Sequence, residues 1–305
     1  MNVKEIFFTI DTHVEGEAFR IIIHSPIKLN QKGLMENSRL LVEEYKRGKY
    51  FLLNEPRGHR GMNGCIVTTS EVADFALLFL HHDGDVPFKY SGLIATVTAL
   101  LETGNLEKKH MNQYKIETLN GIYQIEAIVA NQSVISVSIE SENCILLEQT
   151  PEYSVVAVDE TRYYYVFPLP RDIQAIQLEQ MTSLQTWGMA VTRQIRTKNV
   201  QMDGVILYEP LSGLSNKVRS LTFAKDGSIV RSPGFDSTFA IFTKLAVRKQ
   251  MDSLTNESIF SSSLTAHKIV GTTNRFFVKS RGFITGTHEF IYDPRDPFEE
   301  GFLLK

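Results

Sequence analysis

Apolar residues recur at helical spacing in two places along the chain, and each is approached in the same way. From Asp83 to Gly104 a short loop containing Asp, Gly and Pro leads into Leu93, Ile94, Val97, Leu100 and Leu101, with Gly104 placed to stop the helix. From Asp226 to Arg248 an Asp-Gly turn, a Pro and a Gly lead into a second apolar helix. Helices this apolar are expected to be enclosed by a sheet or barrel. Their first N–H groups have no partner within the helix, so the loop Phe88-Lys89-Tyr90-Ser91-Gly92 is a candidate anion site.

Period-two alternation predicts strands around both units. Lys4 to Ile10 and Phe19 to Ile23 flank a polar turn over Asp11–Glu17, and Cys65 to Thr69 and Phe75 to Leu80 follow. Tyr114 to Val129 reads as a hairpin turning at Asn120-Gly121. Further strands are expected at Val134–Ile139, Tyr153–Val158, Arg162–Phe167, Val205–Tyr208, Val218–Phe223, Phe276–Val278, Phe283–Thr285 and Glu289–Tyr292. Gln31 to Arg47 reads as one helix ended by Gly48, and Ile173 to Val200 as a helix broken near Thr182. This is an α+β pattern of two similarly built lobes. The first is expected to comprise residues 1–141 with 286–305, and the second residues 142–285.

At 305 residues, 43% hydrophobic and 22% charged, the composition is that of a globular protein. A net charge of −3 offers nothing to nucleic acid or an acidic membrane. No apolar run approaches a bilayer span, and the first residues lack a signal-peptide design, so a cytoplasmic location is expected. The two cysteines, Cys65 and Cys144, are too few for a disulfide framework or a zinc site. His81, His82, Asp83 and Asp85 are not expected to hold a metal, because adjacent histidines in a strand point to opposite faces.

The chain resembles the proline racemase family, which includes 4-hydroxyproline epimerases and trans-3-hydroxyproline dehydratases. The resemblance rests on Ile10-Asp-Thr-His-Val-Glu-Gly-Glu-Ala-Phe-Arg20, Pro56-Arg-Gly-His-Arg-Gly-Met62, His82-Asp-Gly84, Glu102-Thr-Gly104, Arg231-Ser-Pro233, Gly282-Phe-Ile-Thr-Gly286 and the run from Asp293 to Phe302. It spans the whole chain. It implies two lobes of the diaminopimelate-epimerase type, each a strand-rich barrel around a central helix, with a cleft between them. It also implies chemistry by two cysteines facing each other across the substrate's α-carbon, one taking the proton and the other returning it.

Those cysteines are absent from their positions. Active members read Met-Cys-Gly-His where this chain has Phe88, Lys89, Tyr90 and Ser91. They read Asp-Arg-Ser-Pro-Cys-Gly-Thr-Gly-Thr where this chain has Val230, Arg231, Ser232, Pro233, Gly234, Phe235, Asp236, Ser237 and Thr238. Lys89 and Gly234 thus stand at the two thiol positions, and the dehydratase pattern of one cysteine and one threonine is missing too. The resemblance puts Tyr90, Ser91, Gly92, Val230, Gly234, Phe235, Asp236 and Ser237 at the substrate cleft, with Lys89 as candidate base and Asp236 as its candidate partner.

The expected function is that of a proline racemase-like protein without two-thiol activity. Two alternatives stand beside it: single-base dehydration or isomerisation of a proline-like amino acid, and binding of another small ligand. No cofactor or metal is expected. A small amino-acid-like ligand is the expected partner, and a homodimer stays open. Arg57, His59, Asp11 and His13 read as structural, and Arg162-Tyr-Tyr-Tyr-Val166 as a plain strand.

Overall fold

The structure is a computed structural model describing residues 5–26, 29, 33–43, 46–82, 88–198, 200–211, 213, 216–247 and 250–303. It opens with strands β1 (Glu5–Val14) and β2 (Glu17–His24), helices α1 (Leu34–Glu43) and α2 (Lys46–Leu53), strands β3 (Met62–Thr68) and β4 (Phe75–Leu80), and helix α3 (Tyr90–Glu102). Six strands follow: β5 (Gln113–Thr118), β6 (Gly121–Ala130), β7 (Ser133–Glu140), β8 (Ile145–Gln149), β9 (Ser154–Ala157) and β10 (Tyr163–Pro168). Then come a 3₁₀ turn (Leu178–Gln180), α4 (Met181–Thr197), β11 (Gly204–Pro210), β12 (Lys217–Ala224), β13 (Ile229–Val230) and α5 (Phe235–Ala246). The chain closes with β14 (Ser253–Glu257), β15 (Ser263–Lys268), β16 (Phe276–Ser280) and β17 (Phe283–Tyr292). Among the described residues no helix is long and apolar enough to cross a membrane.

The chain divides into two compact units, residues 1–137 with 280–305 and residues 138–279. In the first, β1 pairs antiparallel with both β2 and β17, and β2 pairs parallel with β3. Every residue of α3 from Tyr90 to Leu101 is buried against these strands, as its sequence demanded. In the second, β11 lies between β10 and β12, and α5 buries Phe235 and the run from Ser237 to Thr243. Helix α4 is amphipathic, with Leu184, Gly188, Thr192 and Ile195 turned inward at intervals of one turn.

Several boundaries differ from the sequence reading, each for a physical reason. The polar stretch 11–17 is mostly strand: Arg20 of β2 faces Asp11 of β1 and donates to both its oxygens, at 2.9 and 2.7 Å, so the charges are neutralised where they are buried. Only Glu15 and Gly16 form the turn, at φ 50° and 89°. The helix expected over 31–47 is two helices, and residues 31–32 and 44–45 lie outside the described ones. Gly48 lies inside α2. Its cost of about 1 kcal/mol is offset by burial of Phe51, Leu52 and Leu53, each of which contributes roughly 1.5–3 kcal/mol.

The hairpin turns through Leu119-Asn120, because Thr118 pairs with Gly121. Helix α4 runs unbroken through Thr182, preceded by the 3₁₀ turn. The two tail strands are one, β17, with Thr285 bulged out where the register jumps from Asp11↔Gly286 to Thr12↔Ile284. Strands β8, β14 and β15 carry no clear alternation in sequence and were not expected.

Candidate functional site

Each unit's central helix begins at one of the two positions that the family resemblance singles out. Lys89 is the N-cap of α3, extended at φ −136° and ψ 122°, and its side chain makes no capping bond. It reaches instead to β2, where its Nζ lies 2.5 Å from Glu17 Oε1. Ser91, in the first turn of α3, donates its hydroxyl to Glu17 Oε2 at 2.7 Å. The Glu17 side chain is 9% exposed and that of Lys89 23%, so the lysine is the partner that solvent reaches more. Tyr90 and Gly92 belong to the core. Tyr90 stands edge-on to Phe88 and Tyr123, and a Cβ on Gly92 would lie 2.5 Å from the Phe79 ring. Residues 83–87, including Asp83 and Asp85, lie outside the described ones.

The second unit repeats the design with other residues. Gly234 is the N-cap of α5 at φ 73° and ψ 132°, a conformation essentially reserved for glycine. Asp236 lies in the first turn, where the helix dipole favours a carboxylate. Its Oδ2 accepts from Arg162 Nη1 at 2.5 Å and from the Tyr164 hydroxyl at 2.8 Å. Arg162 also donates through Nε to Asp159 Oδ2 at 2.7 Å, and so bridges two aspartates.

Burial pushes the Tyr164 hydroxyl well above its ordinary pKa, and the charge on Asp236 adds to the shift. Burial likewise raises Asp203. It acts on Asp159 too, but there Arg162 and the Thr161 amide win and hold the carboxyl below its ordinary value. Phe235 is buried edge-on to Phe239. Ser237 and Thr222 share a hydroxyl–hydroxyl bond of 2.6 Å. Val230, half-buried in β13, pairs with Thr222.

Lys89 and Asp236, paired with each other in the sequence reading, therefore each hold an ion pair inside their own unit. Three partners escaped the sequence reading: Glu17, Arg162 and Tyr164. Glu17 stood in a stretch read as a turn, and Arg162 and Tyr164 in a strand read as plain. Their partners lie 72 to 74 residues away, beyond any local pattern.

The cysteines are elsewhere. Cys65 in β3 is fully buried, and burial pushes its thiol up to about 12 even though Thr96 of α3 partly offsets the shift. Cys144, ahead of β8, is pushed up to about 12 by burial as well, and its Sγ donates to Val158 O at 3.6 Å. Neither supplies a thiolate. Asp11 is held by Arg20, His13 Nδ1 accepts from the Gly16 amide, and His59 Nδ1 accepts from the Gly61 amide. Among the described residues no group of three or more His, Cys, Asp or Glu is placed to hold a metal. What the two helix starts present chemically is an ammonium–carboxylate pair and a guanidinium–carboxylate pair.

Comparison with known proteins gives these features a family. The family profile described as proline racemase matches residues 9–303. A trans-3-hydroxy-L-proline dehydratase of Bacillus thuringiensis subsp. konkukian is 29% identical, with 100% of both chains covered. A proline racemase of Acetoanaerobium sticklandii is 24% identical, again with 100% of both covered. Among solved structures, a hydroxyproline epimerase from Agrobacterium vitis with bound trans-4-hydroxy-L-proline shares the fold at a TM-score of 0.84 and 22% identity, covering 100% of this chain and 96% of that one. With a match that runs from the middle of β1 to the last described residue, the chain belongs to the proline racemase family.

Proposed function

We propose that this protein is a non-racemising member of its family, one that binds a small amino-acid-like ligand without two-thiol proton transfer. The observation that carries this reading is the pair of N-cap residues, Lys89 and Gly234, at the positions where the family resemblance calls for cysteines. Racemisation needs one group to take the α-proton and a second to return one on the opposite face. Gly234 has no side chain with which to do either. The cysteines that the chain does have are buried and hold their protons, so neither substitutes.

A second reading is favoured by one observation, the part-exposed Lys89 side chain whose Nζ contacts Glu17. Elimination of water from a β-hydroxy amino acid needs a base on one face only. The Cα–H electrons become the new double bond, the Cβ–O bond breaks, and an acid delivers a proton to the departing hydroxide. Passage of the Lys89 proton to Glu17 within this pair would leave a neutral amine as the base and a protonated carboxyl as the acid. The relative named trans-3-hydroxy-L-proline dehydratase makes that substrate the one to try.

The experiment is α-proton exchange in heavy water with L-proline and trans-4-hydroxy-L-proline, run beside Lys89→Ala. We expect no deuterium uptake and no inversion above the variant's background. Inversion above the variant's background overturns the non-racemising reading, whereas uptake without inversion that vanishes in Lys89→Ala shows proton exchange by that residue alone. Water loss from trans-3-hydroxy-L-proline, dependent on Lys89, would establish the second reading. A thermal-shift screen of amino acids tests the ligand class.

A further inference from the structure

We propose that His82 is held as an imidazolium and serves as a proton-dependent joint between three segments of the first unit. It stands just past β4, at the head of the stretch that leads to Lys89, and it is 6% exposed. Its Nδ1 lies 3.0 Å from Oδ1 of Asn54, the residue after α2, and its Nε2 lies 3.2 Å from the carbonyl of His59. A neutral imidazole has one N–H and one bare nitrogen, whereas an imidazolium donates from both. The His59 carbonyl can only accept. Asn54 Oδ1 is fixed as an acceptor too. The other end of that amide, Nδ2, donates to Glu300 O at 2.9 Å, and turning the amide over would set two oxygens against each other. Two acceptors on one ring require two protons.

Burial opposes the charge, and two charge-assisted bonds offset it. Lys49 of α2 brings a like charge, but its Nζ meets the His82 carbonyl, at 3.3 Å, and not the ring. The His81 ring stands edge-on at 5.6 Å. His59 accepts from the Gly61 amide through Nδ1, so that atom carries no proton. Asp83 and Asp85, next in the chain, lie outside the described residues.

Loss of the proton leaves two arrangements, and each undoes a contact. A ring that keeps only Nδ1–H turns a lone pair on His59 O and releases the 56–62 loop. A ring that keeps only Nε2–H makes Asn54 turn over, and the tail loses its bond at Glu300. This goes beyond the functional reading above, because it concerns what holds the first unit together whether or not the protein catalyses a reaction.

The test is a long-range proton–nitrogen NMR spectrum of the full chain carrying 15N-labelled histidine, in which a bare ring nitrogen resonates far from a protonated one. At about pH 7.5 the exposed His110 and His267 rings should be largely neutral. Both nitrogens of His82 should still carry protons. His82→Gln identifies the signal. Should that variant fail to fold, replacing the other seven of the eight histidines one at a time identifies it by elimination. A bare nitrogen on His82 at that pH overturns the proposal.

A proton held by the folded state contributes stability that is complete below the ordinary histidine pKa and lost as pH rises above it. Wild type should therefore melt roughly 3–6 °C above His82→Gln at about pH 6, with the gap narrowing towards about pH 9. A gap that does not narrow also overturns the proposal. Neither result bears on the exchange experiment, so the two readings fall separately.

Discussion

Gly234 decides how far the chain stands from two-thiol chemistry. A cysteine could be written back at position 89 without backbone cost, because Lys89 is in an ordinary extended conformation. Position 234 is different. Its φ of 73° suits glycine, and a Cβ there would lie 2.9 Å from Ser237 Oγ, which is itself bonded to Thr222. The carbonyl of Gly234 is also occupied, accepting from the Thr238 amide and hydroxyl at 3.0 and 2.6 Å. Gly234→Cys should therefore destabilise the protein by about 1–3 kcal/mol, read by urea denaturation, whereas the cost of Lys89→Cys comes from the lost contact with Glu17 and not from the backbone. The double variant should remain inactive in proline racemisation. The sequence showed that the thiols were missing from their positions. It did not show that one position has a backbone shaped against their return, because φ is not legible in a lone glycine.

Among the elements, α3 and the β5–β6 hairpin were legible, because apolar spacing and an Asn-Gly pair are local signals, although the turn itself falls one residue earlier, at Leu119-Asn120. Strand β14 was not. Its sequence Ser-Leu-Thr-Asn-Glu buries Leu254 and Asn256, and an inward asparagine breaks the apolar alternation. Asn256 is tolerated inside because its Nδ2 donates to Pro233 O at 3.0 Å and Thr238 Oγ1 at 3.1 Å, which ties β14 to the entrance of α5.

The strand's other anchor is Glu257, which meets Lys217 at 2.7 Å and also Arg219, its register partner in β12. Hydrogen bonds from Lys217 and Arg219 hold the Glu257 carboxyl below its ordinary value. A carboxyl lowered on folding contributes stability that is complete above its unfolded pKa and lost as pH falls through the folded one. Glu257→Gln should thus cost about 1 kcal/mol near neutrality. That deficit should shrink steadily as acid takes the pH down through the ordinary carboxylate range. Denaturation curves of both proteins across pH measure it, and a deficit independent of pH would refute the assignment.

At the scale of the whole molecule, two motifs far apart in sequence turn out to be one clasp that closes the first unit. Residues 56–62 and 293–302 are both motifs of the family resemblance, but nothing in either announces the other. Arg57 joins them. Its guanidinium donates to Phe51 O at 2.8 Å, to Asp296 Oδ2 at 3.1 Å and to the carbonyls of Phe298 and Glu299 at 2.8 and 3.0 Å, while lying 4.3 Å over the Phe51 ring. Glu55 and Phe302 exchange backbone hydrogen bonds of 3.0 and 2.9 Å, and Asn54 Nδ2 donates to Glu300 O at 2.9 Å.

The unit therefore begins and ends in one fabric, with β1 and β17 paired along their length and the residues beyond β17 pinned beside α2. A planar five-donor group is the only side chain that can serve so many acceptors at once. Arg57→Ala should strand several of them and cost about 2–4 kcal/mol. Arg57→Lys, which keeps the charge and loses the fork, should recover less than half. If the clasp holds the tail as these bonds indicate, trypsin should cut after Arg295 in native Arg57→Ala well before it does so in wild type. Equal cutting rates in the two proteins would mean that the backbone exchange between Glu55 and Phe302 holds the tail without Arg57.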